Sequence, residues 1–131
     1  MVALVLVSHS PRLAEGLVEL LSQLGAEDVP MQLAAGTADG RLGTDPIAVE
    51  DAIIAAAGRG DDVVVLPDLG SAVLSVKIAL GELDDEMLER VRLVDAPFVE
   101  GGVAAAVTAA SGGDLAAVVA AAEQAKSIRK F

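Results

Sequence analysis

The sequence predicts an α/β fold: a three-layer α/β/α, doubly wound domain around a mainly parallel sheet of about four strands in the order 2-1-3-4. Three observations predict it. Short apolar runs at Val2–Val7, Val29–Leu33, Asp62–Leu66 and Val91–Val94 alternate with helical patterns along the chain. The run Val63–Leu66 is apolar without alternation, as in a strand covered on both faces. Hydrophobic residues make up 53% of the chain, yet Phe98 and Phe131 are the only aromatics, so the core must be built from Val, Leu, Ile and closely packed Ala.

The first run ends Ser8-His9-Ser10-Pro11 and delivers the only histidine of the chain. Leu13, Leu17, Leu20, Leu21 and Leu24 then fall at helical spacing over Arg12–Leu24, with Ser10 suited to the N-cap and Pro11 to the first helical position. His9 is therefore expected at the carboxyl end of a strand, beside the positive end of a helix, where open α/β sheets keep their sites. After the second strand, Gly36–Asp45 (GTADGRLGTD) is the one long polar loop, and its glycines allow backbone N–H groups to approach a ligand closely. A helix follows over Pro46–Ala57. The third strand ends VVVLPDLGS, so Asp68 leaves its carboxyl end just before Gly70 and Ser71, and the next helix is expected over Ser71–Leu80. The last helical stretch, Val99–Lys126, is broken at Gly112 and Gly113, with Asp114 suited to cap the final helix.

If the first and third strands are neighbours, His9 and Asp68 meet across the crevice between them. A carboxylate on one ring nitrogen fixes the tautomer, orients the ring and stabilises positive charge, leaving the other nitrogen free to attack. Backbone N–H groups where two helices start, near Ser10 and Ser71, suit an anion such as a phosphoryl group. Asp68 also suits a helix cap, Ser71 either an N-cap or a phosphate contact, and Gly36 with Thr37 simple turn chemistry. The clustering of His9, Thr37, Asp68 and Ser71 at one edge of the sheet favours a common site.

At 131 residues the chain is expected to form one domain with a core of its own. It has no cysteine, which excludes thiolate nucleophiles and disulfides and fits a reducing cytoplasm. No secretory pattern opens it, and no apolar stretch reaches the roughly 18 residues needed to span a bilayer, so a cytoplasmic location away from membranes is expected. The formal charge of −11 opposes binding to nucleic acid or anionic lipid. One histidine and no cysteine offer no metal site.

The motifs LVLVSHSPRLAEGLVEL around His9, AAGTADGRLGTDP at Ala34–Pro46 and LPDLGSAVLS at Leu66–Ser75, with EGG at Glu100–Gly102, resemble the mannose-type enzyme IIA domains of the phosphoenolpyruvate phosphotransferase system (PTS). Within that family they are most similar to the phosphotransfer subunit of dihydroxyacetone kinase, and the second loop separates that subunit from the sugar-transport relatives. The resemblance covers nearly the whole chain. It implies that His9 accepts phosphate from the phosphocarrier HPr and passes it to ADP held in a partner kinase subunit, which phosphorylates dihydroxyacetone. It also implies that Asp68 orients His9, and that Ser10, Gly36, Thr37, Gly70 and Ser71 line the phosphoryl pocket. No cofactor would be tightly bound, Mg²⁺ and ADP belonging to the partner. The family further implies a homodimer, in some members with an exchanged C-terminal strand, whereas the alanine-rich C-terminal half here reads as helices.

Other readings have weaker support. A sugar-transport enzyme IIA component or a phosphohistidine regulatory module would share the histidine motif. A small tetrapyrrole metal chelatase, loosely suggested by Arg12 after the histidine, lacks further ligands. A histidine phosphatase lacks a second histidine, and a serine hydrolase using Ser71, His9 and Asp68 lacks the G-x-S-x-G elbow.

Overall fold

The computed structural model describes residues 1–131. Four parallel strands, β1 (Val2–Ser8), β2 (Met31–Ala35), β3 (Asp62–Pro67) and β4 (Val91–Leu93), form one sheet in the order β2-β1-β3-β4. Six α-helices surround it: α1 (Pro11–Leu21), α2 (Pro46–Ala57), α3 (Gly70–Leu80), α4 (Asp85–Leu88), α5 (Phe98–Ala110) and α6 (Leu115–Gln124). This is the α/β architecture and strand order that the sequence predicts.

The two-residue period of β1 and β3 divides the core in two. Leu4, Leu6, Val64 and Leu66 face Leu17 and Leu21 of α1, Ala105, Ala106 and Ala109 of α5, and Val118 and Ala122 of α6. Ala3, Val5, Val7, Val63 and Val65 face Val49, Ala52 and Ile53 of α2 and Ala72, Val76 and Ala79 of α3. The small alanines bring α5 and α6 close to the sheet in place of the missing aromatics. Gly101 at the start of α5 is tighter still, because a Cβ there would lie 2.7 Å from the Ala96 Cβ.

From β1 the chain leaves to one side through α1, and from β3 to the other side through α3. The crevice between the carboxyl ends of β1 and β3 is thus the topological switch point.

Several boundaries differ from the sequence-based expectation for local reasons. The second strand starts at Met31 because the Val29 N–H closes a turn on the Ala26 carbonyl and Pro30 has no N–H; it runs on to Ala35, after which the Gly36 N–H donates to the Ser8 carbonyl. Helix α1 stops at Leu21 and passes through a π-type turn, Ser22–Ala26, in which Gly25 takes a φ of +96°. The single-turn α4, capped by Asp84, is too short to show a period. The C-terminal half is helical, as read, with Asp114 capping α6 through the Ala117 N–H.

Candidate functional site

The register of β1 on β3 aligns Val7 with Pro67, so the residues that follow these strands emerge side by side. The Asp68 N–H donates to the Val7 carbonyl at 2.9 Å, extending the ladder by one bond and fixing the backbone below the carboxylate. His9 Nδ1 lies 2.8 Å from Asp68 Oδ1. Because an ionised carboxylate only accepts, Nδ1 carries the proton and Nε2 presents its lone pair. Nε2 lies 2.7 Å from the Ser71 hydroxyl, which donates to it. The imidazole is 24% exposed and the Asp68 side chain 5%, so the orienting group is enclosed while the ring reaches solvent.

Asp68 accepts four hydrogen bonds. Oδ1 takes the imidazole and the Leu69 N–H at 2.7 Å. Oδ2 takes the His9 N–H at 2.9 Å and the Ser8 hydroxyl at 3.0 Å. Burial pushes the carboxyl up, but these donors outweigh it, and Asp68 is held below the usual carboxylate value. It enters any reaction as an anion and can compensate positive charge on the ring.

Ser8 is fully buried; its hydroxyl donates to Asp68 and accepts the Ser10 N–H at 3.1 Å. Ser8 is not among the residues that the sequence singles out. The signal available was a hydroxyl ending an otherwise apolar strand, one residue before the histidine.

The other expected residues divide into two groups. Gly70 and Ser71 open α3, with Leu69 at the N-cap position and no side-chain cap, so neither Ser71 nor Asp68 caps that helix. The N–H groups of Gly70 and Ser71 have no partner within the chain, and the Ser71 hydroxyl at this helix start meets His9 Nε2. Ser10, Gly36 and Thr37 have their backbone N–H groups committed elsewhere. Ser10 caps α1 by accepting from the Leu13 N–H, while its own N–H goes to Ser8. The Gly36 N–H goes to the Ser8 carbonyl and the Thr37 N–H to the Arg41 carbonyl. The Thr37 hydroxyl donates to Asp39 and holds that exposed carboxyl below its ordinary value. These residues build the loop rather than offer main-chain donors.

The loop is fastened to the site at three points: Gly36 on Ser8, the Gly43 N–H on the His9 carbonyl at 2.9 Å, and the Thr44 hydroxyl on that of Ser75 in α3 at 2.6 Å. Gly36 has a φ of +77°, and a Cβ there would lie 2.9 Å from the Pro11 Cγ, so only glycine fits between the loop and the start of α1. The nearest cleft, about 380 Å³, opens on the β4 side of Asp68 and Gly70, toward Asp95 and Glu123, and does not include His9. The histidine lies outside that cleft, partly buried, with one edge of its ring reaching solvent. No group of three or more His, Cys, Asp or Glu side chains is placed to hold a metal ion.

Residues 3–119 match the EIIA-man family model, described as PTS system fructose IIA component. The chain is 42% identical over 107 residues to the phosphoryl donor subunit DhaM of PEP-dependent dihydroxyacetone kinase 2 of Listeria innocua, covering 82% of this chain and 85% of that one. It is 48% and 47% identical to the DhaM phosphoryl donor subunits of Pantoea ananatis and Escherichia coli, covering 91% of this chain. It spans about a quarter of those two longer relatives, 26% of each. The crystal structure of a protein of unknown function, EF1359, superposes with a TM-score of 0.86 at 38% identity, covering 94% of this chain and 93% of that one. With the family model matched over nearly its whole length, and DhaM proteins among its relatives, the chain belongs to the EIIA-man family as a DhaM-like phosphoryl donor subunit of the PTS type.

Proposed function

We propose that residues 1–131 act as one phosphotransfer domain, a relay that takes a phosphoryl group from the phosphocarrier HPr onto His9 Nε2 and passes it to ADP held by a partner dihydroxyacetone kinase subunit. The observation that carries this reading is the pairing of His9 Nδ1 with the ionised Asp68 at 2.8 Å, which leaves Nε2, met only by the Ser71 hydroxyl, as the nucleophile of a partly exposed ring. The names of the relatives supply the acceptor class: a phosphoryl donor subunit of a dihydroxyacetone kinase.

In the first half-reaction the Nε2 lone pair forms the new N–P bond as the N–P bond of the donor phosphohistidine breaks. The ring gains positive charge, which the Asp68 carboxylate balances through the Nδ1 proton. In the second half-reaction a terminal oxygen of ADP attacks the same phosphorus, the Nε2–P bond breaks, and neutral imidazole returns. The Ser71 hydroxyl, which donates to Nε2 in the unmodified protein, turns to donate to a phosphoryl oxygen, joined by the N–H groups of Gly70 and Ser71. Ser10, Gly36 and Thr37 hold the start of α1 and the second loop beside the histidine. The phosphoryl transfer asks of this chain mainly positioning, and any Mg²⁺ would be held with the nucleotide on the partner. The active assembly is a cytoplasmic homodimer.

The test is intact mass after incubation with phosphoenolpyruvate, enzyme I and HPr, followed by addition of ADP-loaded kinase subunit. The expected result is one acid-labile phosphoryl group, absent from His9→Ala, that is lost on adding the kinase subunit. Label on folded His9→Ala would refute the site. Label that leaves only on return to HPr would refute the kinase as acceptor and favour a regulatory module.

A further inference from the structure

The serine-hydrolase motif is missing from the sequence, yet the structure assembles the corresponding side chains. Ser71 Oγ lies 2.7 Å from His9 Nε2, and His9 Nδ1 lies 2.8 Å from Asp68 Oδ1. Both distances fall within the range of a working nucleophile-base-carboxylate series. Each member is fixed: Asp68 by its four donors, the ring by Asp68, and Ser71 by the second position of α3. Ser71 is exposed, and the N–H groups of Gly70 and Ser71 beside it lack partners within the chain.

We propose that Ser71 is an activated nucleophile in the unphosphorylated protein and takes uncharged phosphonyl and acyl electrophiles, a reactivity separate from phosphoryl relay. With a fluorophosphonate, Ser71 Oγ forms the O–P bond and the P–F bond breaks. The Ser71 proton passes to His9 Nε2, and fluoride leaves as the anion. Asp68 stabilises the imidazolium, which later returns its proton to water. With an activated ester the same attack gives an acyl-serine, the leaving alkoxide takes the proton from Nε2, and water hydrolyses the acyl group with His9 as base.

Two measurements on the whole chain test this. The first is fluorophosphonate labelling, followed by intact mass and peptide mapping. The expected result is a single adduct on Ser71, formed about 10²-fold faster than on the exposed Ser111, a modest yield for general-base assistance. Ser71→Ala abolishes that adduct, and His9→Ala reduces Ser71 to the rate of Ser111. No adduct, labelling of Ser71 at the Ser111 rate, or an adduct on His9 itself would overturn the proposal. The second covers a failure of His9→Ala to fold. The chain has no cysteine, so Ser71→Cys and Ser111→Cys each introduce one thiol. Iodoacetamide should alkylate the residue-71 thiol at least about ten-fold faster at neutral pH, because the imidazole withdraws its proton; equal rates would contradict the proposal.

Discussion

Asp68 is the residue on which the account turns, because both of its oxygens are engaged and one of them holds the imidazole. Asp68→Asn leaves the nucleophile in place but removes the charge that compensates the ring, so phosphoryl uptake measured by quenched-flow mass analysis should slow by about 10²-fold without vanishing. Its ionisation also contributes to stability. The folded carboxyl sits below its unfolded value of about 4, so the contribution is complete above about pH 5 and is lost as pH falls through the folded value. In urea unfolding, wild type should therefore exceed Asp68→Asn at pH 6, and the gap should narrow below pH 4; a gap independent of pH would contradict the assignment. Ser8→Ala removes one donor to Asp68 and orphans the Ser10 N–H, a loss of about 1–3 kcal/mol in the same assay. His9, Asp68 and Ser71 were legible in the sequence because each lies where a predicted strand gives way to a predicted helix. Ser8 was not, since Asp68 is brought to its hydroxyl by the β1–β3 register, which no local pattern states.

At the level of elements, the second loop matters most, being held against Ser8, His9 and Ser75 of α3 by Gly36, Gly43 and Thr44. Gly36→Ala meets two obstacles at once, a positive φ and the Pro11 ring, and should cost about 1–3 kcal/mol in thermal or urea unfolding. An unchanged midpoint would show that the loop is not packed on α1 as described. The sequence marked this loop as glycine-rich and polar but suggested that its N–H groups face a ligand. The structure uses those of Gly36, Thr37 and Gly43 to close the loop on itself and on β1. Caps were easier to read, because Ser10 and Asp114 act on N–H groups only three residues ahead. The start of β2 was harder, because the turn bond from Val29 to Ala26 competes with the apolar run.

For the whole molecule, two apolar layers pin a sheet whose switch point presents one histidine, and strand order followed from the alternation of elements together with the family resemblance. How copies associate is not written in that alternation. Leu13, Leu20, Leu24 and Leu33 remain exposed on one chain, and light scattering should give twice the 13.2 kDa chain mass for the proposed homodimer; a mass of 13.2 kDa at working concentration would remove the dimer from the account. The central claim concerns one nitrogen of one ring, and the single histidine makes it directly readable. Long-range ¹H–¹⁵N NMR of the ¹⁵N-histidine-labelled chain, before and after phosphorylation through HPr, is the decisive measurement. Phosphorus is expected on Nε2 with Nδ1 protonated in both states; phosphorus on Nδ1, or an unchanged imidazole spectrum in the presence of an active donor, would contradict the relay through Nε2.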